Sequence, residues 1–289
     1  MQLNTYATLS AFRQRQALAA SDTGDDDRML AKLRSATAQI DRFTGRSFIP
    51  TVATRKFNWH NARTLLFRGY DLLELTSITN GDGTSVDPTA IIALGGVNGP
   101  IVGVELDLTR AFFVYLTTKT RALTVNGVWG WHDDYANAWK PSSDTIPGGG
   151  ITSSATSFTV TSVSGVDGWN LSPRFTAGQL LKVDSENLYL VAANSATNTL
   201  TVVRGANGST AASHNAGAAI SIYVPPTDIA EIALRWAGWL YKTEDAGDYS
   251  GSVAVPGEGN ILAPVNVPPA IPSDLVAALV NLRRVVGAL

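Results

Sequence analysis

The sequence contains no cysteine and only three histidines. Without cysteine the chain has no disulfide framework, no thiol catalysis and no cysteine-based zinc site, which suits assembly in a reducing cytoplasm. His60, His132 and His214 lie far apart in the sequence, and no pair of them has the spacing of a zinc site. We therefore expect neither a bound metal nor redox chemistry at cysteine.

Charged residues are also scarce. They make up 16% of the chain, whereas apolar residues make up 45%. This is little charge for a soluble protein that stands alone, and it indicates that neighbouring molecules cover much of the surface. The 22 basic and 24 acidic residues give a net charge of -2. Such a balance disfavours sequence-specific DNA binding, which depends on neutralising phosphate charge.

Long apolar runs are absent as well, since no stretch reaches the length of about eighteen residues that a membrane span requires. The amino terminus, residues 1–8, lacks the basic and apolar regions of a signal peptide. We expect a chain that neither spans a membrane nor carries such a signal.

Helical patterns open the chain. Thr8 is the expected N-cap of a short helix through Ala17, and the acidic run 25–27 favours the start of a second helix. Gly45 then supplies a left-handed stop, so this second helix should end near Thr44. Apolar residues recur along it at steps of three and four, which predicts a face that packs in a core.

Helical patterns also close the chain. Asp228 and Glu231 form a capping-box pattern ahead of an apolar face that should pack on the helix from Asp25. Residues 243–271 are rich in glycine and proline, which predicts an extended arm or a flexible loop, and such an arm would be able to reach a neighbour. A last helix begins near Ser273 and carries Arg283 and Arg284 in its final turns.

Between the helices the pattern is that of β-strands. Short β-rich runs separated by turns from Val52 to Trp131 predict a meander of hairpins. Residues 150–224 predict five further short strands, typical of a small barrel or sandwich. The expected fold class is α+β: a small helical bundle with β-hairpins, plus an inserted all-β module. Residues 1–149 and 225–289 would form the host domain, and residues 150–224 the inserted β domain.

Several short sequence motifs outside residues 150–224 follow one another in a characteristic order. Tyr6-Ala-Thr-Leu-Ser10, Asp25-Asp-Asp-Arg-Met-Leu30 and Ile40-Asp-Arg-Phe-Thr-Gly-Arg-Ser-Phe-Ile-Pro50 resemble the start of head-tail connector proteins of tailed bacteriophages, also called adaptor or head completion proteins. Strands ending in Val128-Trp-Gly130, the helix from Pro226, the Gly/Pro arm and Leu282-Arg-Arg284 are similar to later parts of that family. Residues 183–186 and 203–210, with His214, resemble a β insert found in phage adaptor proteins. The bulky insertion, and the longer stretch from Trp129 to Gly150, depart from the compact family pattern.

The resemblance implies a structural virion protein without enzymatic activity or cofactor. It implies a homo-oligomeric ring of about twelve copies that binds the portal protein and presents a platform to a tail or stopper protein. DNA would pass through the centre during packaging and ejection. The protein would be assembled in the bacterial cytoplasm and would lie in the virion neck.

Two sets of residues are candidate contacts in such a ring. The final helix and the arm supply the candidate portal or partner contacts, namely Arg283, Arg284, Tyr249, Ile261 and Leu262. Aromatic residues in a turn-rich stretch supply candidate contacts between subunits, namely Trp129, Trp131 and Trp139. The same aromatics would equally suit packing between host and insert.

Other interpretations of single motifs remain open. Asp184 and Glu186 suit a solvated turn or a structural pair with Arg204, whereas a hydrolase would use them as paired carboxylates. The β insert with Trp169 would alternatively make a carbohydrate-binding module on the virion surface. The sequence also permits a divalent-ion site at residues 132–134 and a phosphate loop at residues 205–208, but ligand number and the missing lysine favour a solvated loop and a β-turn. Arg42, Arg46 and Arg55 would face DNA in a pore or form ion pairs.

Overall fold

The computed structural model describes residues 4–19, 22–96, 99–246 and 272–284. In these ranges the chain forms four α-helices and two six-stranded antiparallel sheets. The fold class is therefore α+β with an all-β module, as predicted. None of the described helices is both long and apolar enough to cross a membrane.

The two amino-terminal helices begin and end where local signals indicate. Helix α1 spans Leu9–Arg15, and the Thr8 hydroxyl accepts a hydrogen bond from the amide of Ala11 at 3.2 Å. Helix α2 spans Asp26–Thr44 and ends at Gly45, whose φ of 67° is left-handed. Both predicted caps are confirmed, although α1 ends two residues earlier than the pattern indicated.

The two remaining helices are α3, Thr227–Ala246, and α4, Ser273–Val280. Helix α3 packs on α2 as predicted, and both bury their apolar faces in one cluster. The predicted capping box does not form: Asp228 lies in the first turn of α3, where its carboxylate accepts the amide of Ile229 at 2.8 Å, and the Glu231 carboxylate binds Arg15 of α1 at 2.9 Å. A contact between helices has thus replaced a contact within one.

The first sheet holds strands β1 (Thr51–Phe57), β2 (Thr64–Leu66), β3 (Leu72–Thr79), β4 (Ile91–Gly95), β5 (Ile101–Leu106) and β6 (Leu123–Trp129). Its order is β1-β6-β3-β5-β2, with β4 also paired to β5. The pair β4–β5 is a hairpin, but β6 lies between β1 and β3, so the prediction of a simple meander is wrong. Strand patterns indicate where strands lie, whereas the partner of each strand is decided by distant residues.

One glycine explains how β6 fits between its neighbours. A side chain at Gly127 would place its Cβ 2.4 Å from the carbonyl oxygen of Glu74 on β3. Only glycine permits this approach, at a point where the pairing of β3 with β6 is irregular.

The second sheet holds β7 (Trp139–Thr145), β8 (Ser157–Thr159), β9 (Leu180–Val183), β10 (Glu186–Asn194), β11 (Thr199–Val203) and β12 (Ala219–Tyr223). Its order is β7-β12-β9-β10-β11-β8. The five strands predicted within residues 150–224 correspond to β8–β12, and β7 joins them from before residue 150. Asp144 on β7 accepts the amides of Thr161 and Ser162, which follow β8, so the two edges of the sheet approach each other.

The helices and the second sheet share a core. Tyr189 and Tyr223 of that sheet are buried in the same cluster as the faces of α2 and α3. The Tyr223 hydroxyl donates to the carbonyl oxygen of Phe48 at 2.7 Å. The second sheet is therefore fixed to the helices by buried contacts and not by its chain connections alone.

Candidate functional site

A dense group of ionisable side chains lies at the turn between β9 and β10. Glu186 is fully buried, and both its oxygens accept hydrogen bonds from the Arg204 guanidinium at 2.8 Å. The amides of Gly205 and Ala212 also donate to it, and His214 Nε2 lies 2.8 Å away. This group, the Glu186 network, joins the turn to the chain that follows β11.

The electrostatics of this network oppose a catalytic role. Burial raises the pKa of Glu186, but hydrogen bonds from Arg204, Ala212 and Gly205 outweigh it and lower the pKa to about 2. A carboxylic acid that transfers protons near neutral pH needs a raised pKa and access to substrate. Asp184, its proposed partner, is 64% exposed and contacts His214 Nδ1 at 2.7 Å. The structure thus contains the Glu186–Arg204 pair that the hairpin pattern predicted.

Two further buried ion pairs lie in the second sheet, and neither was predicted from the sequence. Arg174 binds Asp144 at 2.5 Å, and Lys140 binds Asp167 at 2.5 Å. All four side chains are almost inaccessible to solvent. The Asp167-Gly168 dipeptide was the available signal, since such dipeptides mark turns that an aspartate organises.

These two ion pairs shape an exposed loop, residues 164–172, which we call the Trp169 loop. The Asp167 carboxylate accepts the amides of Trp169 and Leu171 at 2.9 and 3.0 Å. Trp169 is nevertheless 50% exposed, and Val166 and Leu171 are exposed beside it. A buried aspartate therefore holds a loop whose three large apolar side chains face solvent.

A second exposed apolar surface lies on the first sheet. The β5–β6 loop, residues 107–122, carries Leu108, Phe112 and Leu116, of which Leu116 is 71% exposed. The loop is held in place, because the indole nitrogen of Trp59 donates to the carbonyl oxygen of Phe113 at 2.8 Å. Clusters of large apolar side chains on ordered loops are typical of protein interfaces.

The three predicted interface tryptophans are not brought together on one surface. Trp129 is 3% exposed in the core of the first sheet, where its indole nitrogen donates to the carbonyl oxygen of Ala53. Trp131 and Trp139 are half-buried where the helices meet the second sheet, with ring centroids 5.5 Å from Phe48 and 5.2 Å from Tyr223, respectively. All three pack against other residues of the same chain.

The two predicted arginines of the carboxyl-terminal region differ in their contacts. Arg284 donates to the carbonyl oxygen of Gly69 and to the Asp71 carboxylate at 2.5 Å, which fixes the end of this region to the first sheet. Arg283 is exposed, 5.8 Å from the ring of Phe43. The other candidate contacts, Tyr249, Ile261 and Leu262, lie outside the described residues.

The remaining candidates have local structural roles. His132 is buried, with Nε2 3.0 Å from the carbonyl oxygen of Val224, and Asp133 beside it is exposed. No group of three or more potential ligands that could hold a metal ion occurs in the described part of the chain. Residues 205–208 form a tight turn in which Gly205 and Asn207 are left-handed. Arg46 pairs with Asp71 at 3.6 Å, and Arg55 lies over the rings of Tyr70 and Trp129.

Comparison with known proteins adds little to this geometry. No protein-family model matches the chain, and no curated protein matches it. Among solved structures, the chain is similar to one from the neck of an empty GTA particle computed with C6 symmetry. The two are 15% identical with a TM-score of 0.31, and the match covers 45% of this chain and 70% of the other. A likeness of this size establishes neither a common fold nor a family.

Proposed function

We propose that this protein is a structural component of a tailed-bacteriophage virion, a head-tail adaptor in the neck. The observation that best supports this proposal is where the chain places its polar and apolar side chains. Its buried ionisable groups are used in structural pairs, while large apolar residues stand on two ordered outer loops, the Trp169 loop and the β5–β6 loop. Such a surface suits assembly better than catalysis.

Two different apolar surfaces are what a ring of identical subunits requires. In a closed ring each copy contacts its neighbours through two unlike surfaces, so a single chain must carry both. The sequence resemblance to connector proteins supplies the context: about twelve copies beneath the portal, with a tail or stopper protein on the other side. A net charge of -2 suits a channel through which DNA passes without adhering.

In this proposal the host portion, residues 1–149 and 225–289, forms the ring, and residues 150–224 decorate it as an inserted domain. Arg283 contacts the portal, and the arm around Tyr249, Ile261 and Leu262 contacts the portal or another partner. The ring assembles in the host bacterial cytoplasm and remains in the virion at the head-tail interface.

Mixing the chain with the portal protein of the same phage tests the proposal. Negative-stain microscopy is expected to show a discrete ring of this chain attached to the portal. A persistent monomer that does not bind the portal would count against an adaptor.

A second candidate function, carbohydrate binding, rests on the exposed ring of Trp169. An exposed tryptophan on an ordered loop can stack on a sugar, and Lys140 Nζ lies 5.4 Å from its ring centroid. A glycan array distinguishes the two functions. Glycan binding that Trp169→Ala abolishes would favour this candidate, and no binding to any glycan would remove it.

A further inference from the structure

A cleft of about 520 Å³ opens beside the end of β1 and the turn between β2 and β3. We call it the β1–β2 cleft. Its apolar wall contains Phe57, Leu66 and Tyr70, and its charged rim contains Lys56 and Arg68. No residue of the Trp169 loop or the β5–β6 loop lines it, so it is a separate surface of the described chain.

The apolar wall is already formed in the isolated chain. Tyr70 stands edge-on to Phe57 with ring centroids 5.8 Å apart, and the Arg55 guanidinium lies 4.1 Å from the centroid of Tyr70. Tyr70 and Leu66 are each about two-fifths exposed. Tyr70 is thus held between two neighbours and still presents apolar surface to the cleft, so binding there would require little rearrangement.

The rim carries charge of one sign. Among the described residues, no aspartate or glutamate lines the cleft, and neither Lys56 nor Arg68 pairs with a carboxylate. Both side chains are exposed. A cleft with an apolar wall and an unopposed basic rim selects an occupant that combines apolar and acidic residues.

One segment of this chain has that composition. Residues 247–271 contain Asp248 and Glu258 but no lysine, arginine or histidine. Ile261 and Leu262 follow Glu258 closely, so an acidic and an apolar group lie within a few residues. The segment also contains four prolines, which favour an extended chain.

The position of α4 shows what this segment can reach. It leads into α4, and Arg284 beyond that helix binds the carbonyl oxygen of Gly69, which lies between Arg68 and Tyr70 in the sequence. The start of α4 is therefore within about 20 Å of the cleft of its own subunit, by the rise of a helix. The 25 residues from 247 to 271 can span at most about 80 Å, the limit for a chain of that length. This length exceeds what its own subunit requires and is sufficient to cross to an adjacent one.

We propose that the β1–β2 cleft binds residues 247–271 of a second copy of this chain. Glu258 of that copy binds Lys56 and Arg68, and Ile261 and Leu262 pack on Phe57, Leu66 and Tyr70. The inference rests on the proposed function, because the ring supplies the second copy. Each subunit gives one segment and receives another, which is the arrangement of a closed ring with unlike contact surfaces.

The absence of cysteine makes a direct test possible. Lys56→Cys and Glu258→Cys are made in separate full-length chains, mixed and oxidised with and without the portal. A species of twice the chain mass, in which mass spectrometry finds a disulfide between positions 56 and 258, is the expected result. Ser153→Cys, at an exposed serine outside the cleft and outside both apolar loops, is the control and should give at least tenfold less of that species.

The double variant, with both substitutions in one chain, separates a second copy from the same copy. If that chain cross-links within itself while the mixture of single variants does not, the segment occupies its own cleft and the proposal is overturned.

Charge reversal tests the chemistry of the contact. Arg68→Glu and Glu258→Arg should each lower self-association of the full chain at least tenfold, and an equimolar mixture should restore it, because alternating copies again place opposite charges together. A mixture that associates as weakly as either variant alone contradicts the assigned pair.

The inference and the proposed function can fail separately. If rings form on the portal but positions 56 and 258 do not cross-link in them, this inference fails while the proposed function stands. If neither rings nor cross-links form, both fail.

Discussion

Single residues of the second sheet place charge where solvent does not reach it. Arg204, Arg174 and Lys140 are each buried against a carboxylate. A buried pair of this kind adds little net stability compared with apolar residues of the same size, but removing one partner leaves the other charged and unsatisfied. Each pair therefore favours the one loop arrangement that keeps both charged groups in contact.

Arg204→Met should lower the free energy of unfolding by about 3–5 kcal/mol, because it leaves the Glu186 carboxylate buried without its cation. Urea denaturation followed by tryptophan fluorescence measures the change. Arg63→Met is the matched control, since Arg63 forms an exposed pair with Glu105 and should cost no more than about 1 kcal/mol. Equal small losses in the two variants would contradict the structural role of the Glu186 network.

The same carboxylate predicts a pH dependence. The pKa of Glu186 is about 2 in the folded chain and 4.5 in the ordinary case, so the unfolded chain binds the proton first. Its contribution to stability is therefore complete above about pH 4.5 and is lost as the pH falls towards about 2. Denaturation midpoints between these values should fall more steeply for the wild type than for Glu186→Gln. Parallel curves would show that Glu186 does not carry this dependence.

Where strands and turns pack on one another, the backbone of one element sometimes approaches the backbone of another so closely that only glycine fits. Gly208 follows β11, has a φ of 77°, and would place a Cβ 2.1 Å from the carbonyl oxygen of Val52 on β1. This is a direct contact between the second sheet and the first. A side chain at this position must push β1 away.

Gly208→Ala should therefore cost more than backbone strain alone. Gly217, with a φ of 82° and no atom within 4 Å of the position that a Cβ would take, provides the control. Gly217→Ala should lower the free energy of unfolding by about 1–2 kcal/mol, the usual cost of a left-handed alanine. Gly208→Ala should lose at least about 2 kcal/mol more in the same thermal or urea denaturation. Equal losses would mean that the approach to Val52 is not tight.

The Trp169 loop is a second element whose backbone depends on one group, the Asp167 carboxylate. In Asp167→Ala the amides of Trp169 and Leu171 lose their acceptor. Their hydrogen exchange should accelerate at least tenfold more than exchange in the strands, which Asp167→Ala also affects by leaving Lys140 without its partner. Asp184→Ala, which removes a largely exposed carboxylate, should leave both amides unchanged. Slow exchange in Asp167→Ala would show that other contacts order the loop.

Across the chain as a whole, charge is scarce and two loops expose large apolar side chains, which the proposed assembly would cover. The cores of the two sheets and of the helices are filled by the chain itself. The large side chains on the Trp169 loop and the β5–β6 loop remain outside them. Their removal should affect association and not folding.

Leu116→Ser tests this separation, since Leu116 is 71% exposed. Its free energy of unfolding should stay within about 0.5 kcal/mol of wild type, as for most surface substitutions. Its assembly with the portal, measured by sedimentation velocity, should weaken by at least tenfold. Phe113→Ser, at the buried neighbour in the same loop, should instead unfold the chain more easily. Unchanged assembly of Leu116→Ser would remove the β5–β6 loop from the interface.

Features that depend on near neighbours could be predicted from the sequence alone. Thr8 and Gly45 mark helix ends because caps are formed within a turn, and the pairing of Glu186 with Arg204 follows from two strands joined by a short connection. Apolar periodicity likewise located α2, α3 and the five strands β8–β12. These signals are local, so they are readable without the rest of the chain.

Contacts over long sequence distances, in contrast, settled which strands meet and which apolar side chains are covered. The insertion of β6 between β1 and β3, the addition of β7 to the second sheet, and the pairs Asp144–Arg174 and Lys140–Asp167 join residues far apart in sequence. Trp129 is the last residue of β6 and Trp169 follows Gly168, both next to a glycine, yet Trp129 is buried and Trp169 is half exposed. Burial depends on what the remaining elements place over a side chain, and the local sequence carries no information about that cover.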